Sequence, residues 1–323
     1  MKVLFATYPM AFHTPGGGEI QLLAYHKHLP AHRVEVTLFD PWNPRFLEHD
    51  VVHFFSCVGG SVHFCHFVKQ LGLPLVVSSS LWVTEETKHL YPIGEIHHQF
   101  SLADRVVANS DIECETLARV FDLPREKFST VLNGVEESFY EPVAPELFRS
   151  EFKIADRFIL NVGNIEPRKN QLALTKAMKS FPELKLVLIG HQRDPEYAKA
   201  CFAEGGDQLI YSGALPHDSP VLRSAYAACE AFVLPSTLET PGLAALEAHA
   251  AGARIAVTRI GSTEEYFAEH VAYLDPTDIS SIAQSIQHAI KQTRTASLNA
   301  ARNLTWQAVL APLKDLYDSL LTK

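Results

Sequence analysis

The stretch AFVLPSTLETPGLAALEAHAAGARIAV, residues 231–257, reads as one strand–helix–strand unit. Ala231–Leu234 and Arg254–Val257 are short apolar, β-branched runs, as buried parallel strands require. Between them, Thr240 is a good N-cap, Pro241 fits the first helical position, and Gly252 closes the helix. Glu239 then stands on the loop before a helix N-terminus. Glu247 lies two turns further on, about 10 Å away at 1.5 Å per residue. Free backbone N–H groups and the positive end of a helix dipole lie between them and suit phosphate. The layout fits a nucleotide-sugar, with sugar hydroxyls at Glu239, diphosphate at the N-terminus and ribose at Glu247. The competing reading is an amphipathic helix carrying two solvated glutamates.

The same rhythm extends over almost the whole chain. Further strands are expected at Val3–Thr7, Val34–Phe39, Val51–Phe55, Leu75–Ser78, Arg105–Ala108 and Ser129–Leu132, then at Phe158–Asn161, Leu184–Ile189, Gln208–Tyr211 and Ala272–Leu274. Helical patterns such as Glu19–Leu29 and Asp111–Phe121 lie between them. Alternation of this kind implies an α/β chain with parallel sheets covered on both faces. The rhythm breaks at Glu141–Pro145, which predicts two doubly wound, Rossmann-like domains, 1–141 and 142–304. Such folds bind ligands beyond the carboxyl ends of their strands, so the site is expected in a cleft between the two. Leu304–Leu321 reads as a terminal helix whose apolar stripe includes Trp306, Val309, Leu313 and Leu320.

Composition narrows the class. The 323 residues are 47% apolar and 20% charged, with a net charge of −9. An acidic chain without a Lys/Arg run is not built for nucleic acid. The five cysteines are scattered and form no Cys-x-x-Cys, so neither a disulfide framework nor a zinc ribbon is expected. His63, Cys65 and His66 do not share one helix face, which argues against zinc there. Val3–Thr7 is a weak leader at best, since Pro9 and three glycines follow without a cleavage signature. No apolar run approaches a membrane span. The expected setting is cytoplasmic, with peripheral contact at the inner face of a membrane left open.

Two further segments point to anions. Arg168 and Lys169 follow a strand and the turn Asn161–Asn164, and open a helical pattern through Met178. Cations are unfavourable at a helix N-terminus. A bound diphosphate would compensate, with Arg168 able to grip it bidentately. A solvated corner, or an ion pair to Glu166, is the alternative. Gly16, Gly17 and Gly18, after the first strand and before a helix, allow close backbone approach by a ligand. They do not complete G-x-G-x-x-G, because position 21 is Gln21.

With these segments in order, the chain resembles the retaining glycosyltransferases of family 4, which have the GT-B architecture of two Rossmann-like domains facing across a cleft. The resemblance runs through Gly16–Gly18, Asn109-Ser110, Leu132–Val135, Val162-Gly163 with Arg168-Lys169, Ser212–Leu215, Val233–Ser236, the Glu-x7-Glu pair and Gly261–Glu265. It implies that Arg168 and Lys169 hold the donor diphosphate and that Glu239 contacts the donor sugar. Glu247 would take the ribose, backbone N–H groups of Gly242 and Leu243 would support the sugar or phosphate, Thr240 would join the donor site, and Gly213, Ala214 and Leu215 would touch the base. It also implies that 1–141 is the acceptor side, joined by the C-terminal helix at 305–323, and that 142–304 binds the donor. Many relatives carry His-Asp after the fourth strand, where this chain has Ser79 and Ser80. With Trp82, these two serines are the acceptor- or sugar-side candidates. Thr240-Pro241 also replaces the Gly-Phe common in the group.

The implied reaction is transfer of a sugar, with retention, from a UDP- or GDP-type donor to an acceptor hydroxyl on a glycan, a glycolipid or a small molecule. No cofactor and no metal are expected, because Arg168 and Lys169 can take the place of a Mg²⁺. Alternatives are a sugar phosphorylase, a nucleotide-sugar epimerase, or a catalytically silent nucleotide-sugar-binding subunit.

Overall fold

The structure is a computed structural model that describes residues 1–13, 15–293 and 304–322. Contacts divide the chain into two units, Met1–Gly134 with Leu304–Lys323, and Val135–Asn303. In the first unit, strands β1 (Lys2–Thr7), β2 (Glu35–Leu38), β3 (Val51–Phe55), β4 (Leu75–Ser78), β5 (Arg105–Ala108) and β6 (Phe128–Thr130) form a sheet of order β2-β1-β3-β4-β5-β6. All its pairings are parallel. Every residue of β3 is buried, because helices cover both faces of a parallel sheet. These helices include α1 (Gly17–His28), α2 (Ser61–Gln70), α3 (Ile93–Leu102) and α4 (Asp111–Val120).

The second unit repeats the plan. Strands β7 (Phe158–Val162), β8 (Lys185–Ile189), β9 (Leu209–Tyr211), β10 (Ala231–Leu234), β11 (Ile255–Thr258) and β12 (Ala272–Leu274) take the order β12-β11-β10-β7-β8-β9, all parallel. Its helices are α5 (Glu146–Phe152), α6 (Gln171–Ala177), α7 (Pro195–Gly205), α8 (Pro220–Ala228), α9 (Leu243–Ala250), α10 (Thr263–Phe267) and α11 (Ile279–Lys291). The strand order reverses between β7 and β10. Chain leaving these two strands therefore diverges and opens a crevice at their carboxyl ends.

Three local expectations change. Helix α9 starts at Leu243, not after a Thr240 cap, because Gly242 takes φ 86°. A helix cannot run back through a residue at positive φ, and a Cβ on Gly242 would lie 2.7 Å from Leu234. Thr240 and Pro241 therefore belong to the loop. The other end is as expected: Gly252, at φ 75°, donates to His249 O and Ala253 donates to Ala248 O, a Schellman closure. Arg168 and Lys169 lie on a separate 3-10 turn, Pro167–Lys169. Asn170, left-handed at φ 57°, divides that turn from α6 and is pinned by donation to Pro235 O and Pro276 O.

The terminal helix is two helices, α12 (Trp306–Val309) and α13 (Ala311–Leu321). Pro312 lacks the N–H that a continuous helix would need. The expected stripe of Trp306, Val309, Leu313 and Leu320 is buried, with Leu316 and Tyr317 added. Trp306 packs edge-on against Tyr25, and a Cβ on Gly134 would lie 2.5 Å from the Trp306 backbone nitrogen. Among the described residues, no helix is long and apolar enough to cross a membrane.

Candidate functional site

The crevice of the second unit gathers Arg168, Lys169 and Glu239. Lys169 follows β7 and Glu239 follows β10, so the reversal of strand order brings the two loops together. Lys169 Nζ donates to Glu239 Oε1 at 2.6 Å, and Arg168 Nη1 stands 3.8 Å from the same oxygen. The loops are tied by backbone as well: Thr237 N–H donates to Arg168 O at 2.9 Å. On the far side, Glu239 N–H donates to Ile260 O, and Ser262 N–H donates to Glu239 O. Gly261 makes this possible, since a Cβ there would fall 2.0 Å from Glu239 O.

The electrostatics of the cluster follow from burial. Glu239 is 4% exposed. Burial alone would raise its pKa, but the Lys169 and Arg168 charges and the Lys169 hydrogen bond outweigh it and hold the carboxyl below its usual range. Burial draws the Lys169 ammonium down, and the Glu239 charge only partly offsets this. Arg168 differs, for its side chain is half exposed. It donates to Leu238 O and to Glu166, which also pairs with Arg193. The ion pair to Glu166 weighed from sequence is therefore present. The cluster thus offers one anchored ammonium and one accessible guanidinium beside the first turn of α9, where Gly242 and Leu243 lie. N–H groups of a first turn have no acceptor inside their own helix.

Glu247 lies on α9, also 4% exposed, and both its oxygens are engaged. Oε1 is 2.6 Å from His217 Nε2, and Oε2 accepts from Tyr226 OH at 2.9 Å. Sequence reasoning missed both partners. His217 stands two positions after the Gly213–Leu215 loop, and that adjacency was the available signal. Tyr226 is a buried residue of α8 with no distinguishing pattern. In the loop itself, Gly213 is left-handed at φ 74°, Ala214 is exposed and Leu215 half-buried.

In the first unit, Gly16 caps α1 and its N–H donates to Glu19 Oε2 at 2.7 Å. The helix thus supplies its own anion at this end. Gly17 is exposed, and a Cβ on Gly18 would lie 3.4 Å from Ser80 Cβ and Oγ. The two serines separate: Ser80 is exposed at φ 48°, whereas Ser79 is buried and donates to the buried Glu113 at 3.0 Å. Trp82 is half-buried. His53 belongs to the core, 2.6 Å from Tyr317 OH and 2.8 Å from Ser78 Oγ, and burial lowers its pKa to about 3. Cys65 is equally interior, its thiol pushed up to about 12 by burial.

Two doubly wound parallel sheets with this crevice are the architecture of GT-B proteins. The chain is similar to the sucrose-phosphate synthase of Thermosynechococcus elongatus, at TM-score 0.83 and 18% identity, over 100% of both chains. It is similar to Anabaena HepE in complex with UDP-glucose, at TM-score 0.78 and 18% identity, again over 100% of both chains. Residues 145–304 match the family described as Glycosyl transferases group 1, so the second unit carries a domain of that family. Over 228 residues the chain is 26% identical to the serotype-specific mannosyltransferase WbdA of Escherichia coli, covering 64% of this chain and 28% of that protein. Over 233 residues it is 24% identical to the D-inositol 3-phosphate glycosyltransferase of Mycolicibacterium smegmatis, covering 68% of this chain and 54% of that protein. The matches thus span little more than half, or less, of those relatives' own lengths.

Proposed function

We propose that this chain is a retaining glycosyltransferase of family 4 that moves a sugar from a nucleotide-diphosphate-sugar to an acceptor hydroxyl without a metal ion. The observation that carries the reading is the convergence of Arg168, Lys169 and Glu239 at the β7–β10 reversal, beside the N-terminus of α9. Arg168, Lys169 and the α9 N–H groups stabilise the leaving diphosphate as charge develops on it. Glu239 holds Lys169 and meets the donor sugar; Glu247 meets the ribose. The C1–phosphate oxygen bond breaks, the acceptor oxygen bonds C1 on the same face, and the acceptor proton passes to the departing diphosphate. Ser80 and Trp82 are proposed on the acceptor side; Ser79, engaged with Glu113, is the weaker candidate.

The names of similar proteins support a hexosyl donor: a mannosyltransferase on one side and a UDP-glucose complex on the other. The test is thermal-shift and transfer assays with UDP-glucose and GDP-mannose, followed by NMR of the product's anomeric configuration. A ligand at 100 times its Kd stabilises by about 2.7 kcal/mol, well within detection. No shift from either nucleotide-sugar or from UDP or GDP overturns the donor reading, and an inverted product overturns retention.

A further inference from the structure

The Glu247 carboxylate is held from both sides, and one of its holders is titratable. Tyr226 is fully buried and donates to Oε2. His217 reaches Oε1 from the loop that follows β9, and its side chain is about one third exposed, at 32%. Its ring also meets Phe139 edge-on at 5.7 Å between centroids. The charged groups that face the imidazole are Glu247 on α9, Glu136 before the turn at Glu137–Tyr140, and its own neighbour Asp218. All three are acidic. Glu247 therefore has a hydrogen-bond donor at either end.

We propose that His217 is a positioning residue for Glu247 and that an anionic nucleotide-sugar binds preferentially to the form in which His217 is protonated. The inference rests on the donor-site reading above. Neutral His217 can still donate through Nε2 in one tautomer, so orientation of the carboxylate survives deprotonation. What changes is charge. With imidazolium, the His217–Glu247 pair is neutral; with imidazole it carries a net negative charge, about 6 Å along α9 from the N-terminus assigned to the negative diphosphate. Burial pushes the imidazole pKa down, but the Glu247 hydrogen bond and charge, with Glu136 and Asp218, carry it above the ordinary histidine value. The proton is then held to higher pH than on an ordinary histidine and is lost as pH rises through that raised value.

The test is calorimetric binding of UDP-glucose and GDP-mannose, whose diphosphates do not titrate near neutrality, to the whole chain between about pH 6 and pH 8.5, the range in which histidine switches. Wild type should lose affinity by about tenfold across that range, the change produced by a ligand-induced pKa shift of one unit. His217→Gln keeps a side-chain N–H donor without a titrating charge. It should bind with a nearly flat pH profile at the wild type's high-pH affinity. Histidine proton resonances, assigned through the same variant, should show His217 titrating higher with ligand bound. Binding with an unchanged pH slope in His217→Gln overturns this inference and leaves the donor site standing. Absence of binding at every pH, with a folded protein, overturns both.

Discussion

Lys169 Nζ lies 2.6 Å from Glu239 Oε1, although the two residues are 70 positions apart in the chain. Their strands, β7 and β10, are neighbours in a sheet whose order reverses at that point. Arg168, the residue beside Lys169, shares the carboxylate at a longer distance and remains half exposed. Adjacent cations therefore have different jobs, and substitution should separate them.

Arg168→Ala and Lys169→Ala should each weaken nucleoside diphosphate binding by about 1.5–3 kcal/mol, the worth of a hydrogen bond to a charged group. Their effects on stability should diverge. Lys169→Ala takes the hydrogen-bonded cation from a buried carboxylate, leaving it only the longer contact to Arg168, and should cost about 3–5 kcal/mol. Arg168→Ala removes a solvent-screened pair and should cost about 0–1 kcal/mol. Calorimetry with UDP and GDP, combined with urea unfolding, reads both quantities; equal stability losses would contradict the geometry.

Gly261→Ala should damage the site through Glu239. A Cβ at this position meets Glu239 O at 2.0 Å and Glu239 N at 3.0 Å, and Gly261 sits at φ 112°. Strain of this kind costs on the order of 1–3 kcal/mol per residue, and the backbone overlap adds to it. Gly72→Ala is the control, because its φ of 75° is strained but nothing lies within 4 Å of the added carbon. It should lose about 1–2 kcal/mol without altering turnover at saturating donor. Thermal unfolding and turnover of the two variants decide the matter.

Glu247→Ala and Glu239→Ala should separate by ligand fragment. The first should weaken UDP or GDP itself, since Glu247 is assigned to ribose. The second releases Lys169, so diphosphate affinity should hold while turnover falls. Identical behaviour of both variants on nucleoside diphosphate and on intact donor would dissolve the assignment of one carboxylate to each end.

His53 makes the first unit sensitive to acid. Its folded pKa, about 3, lies below the ordinary histidine value of 6.5, so the unfolded chain binds the proton first. The stabilising contribution is complete above pH 6.5 and is lost progressively as pH falls toward 3, at about 1.4 kcal/mol per pH unit. Glu239, with its pKa depressed, adds a loss only below the ordinary carboxylate range. Urea midpoints measured between neutral pH and pH 4 should fall less steeply in His53→Gln than in wild type.

Transfer should survive exhaustive chelation and rise little on adding Mg²⁺ or Mn²⁺. Mg²⁺ on a diphosphate usually keeps one or two protein carboxylates, and no Asp-x-Asp occurs in the chain. The proposed charge partners are Arg168 and Lys169. An assay after EDTA treatment, then metal by metal, is the check; activity that returns only with a divalent ion would require carboxylate ligands for it.

Strand positions were legible because burial on both faces writes an unbroken apolar run. Val51–Phe55 and Ala231–Leu234 were readable to the residue. Ends were less so: Ser129–Leu132 was expected where Phe128–Thr130 pairs, since hydrogen bonding across a sheet edge leaves no local mark. Arg168, Lys169, Glu239 and Glu247 stood out by charge in apolar surroundings. His217 and Tyr226 did not, because an ordinary loop histidine and an ordinary helix tyrosine become partners of Glu247 only through packing of α8 and α9.

Sequence by itself determined the alternating α/β plan, the helix closure at Gly252 and the charged residues that flank α9, because periodicity, glycine and charge act within a few residues of where they are written. Only the tertiary structure decided that α9 begins at Leu243, that Ser79 turns inward to Glu113 while Ser80 faces Gly18, and that Lys169 is locked to Glu239. Each of these depends on contacts between strands or loops distant in the chain. Those contacts are set by sheet order and by the steric room left at Gly242 and Gly261, neither of which any local pattern encodes.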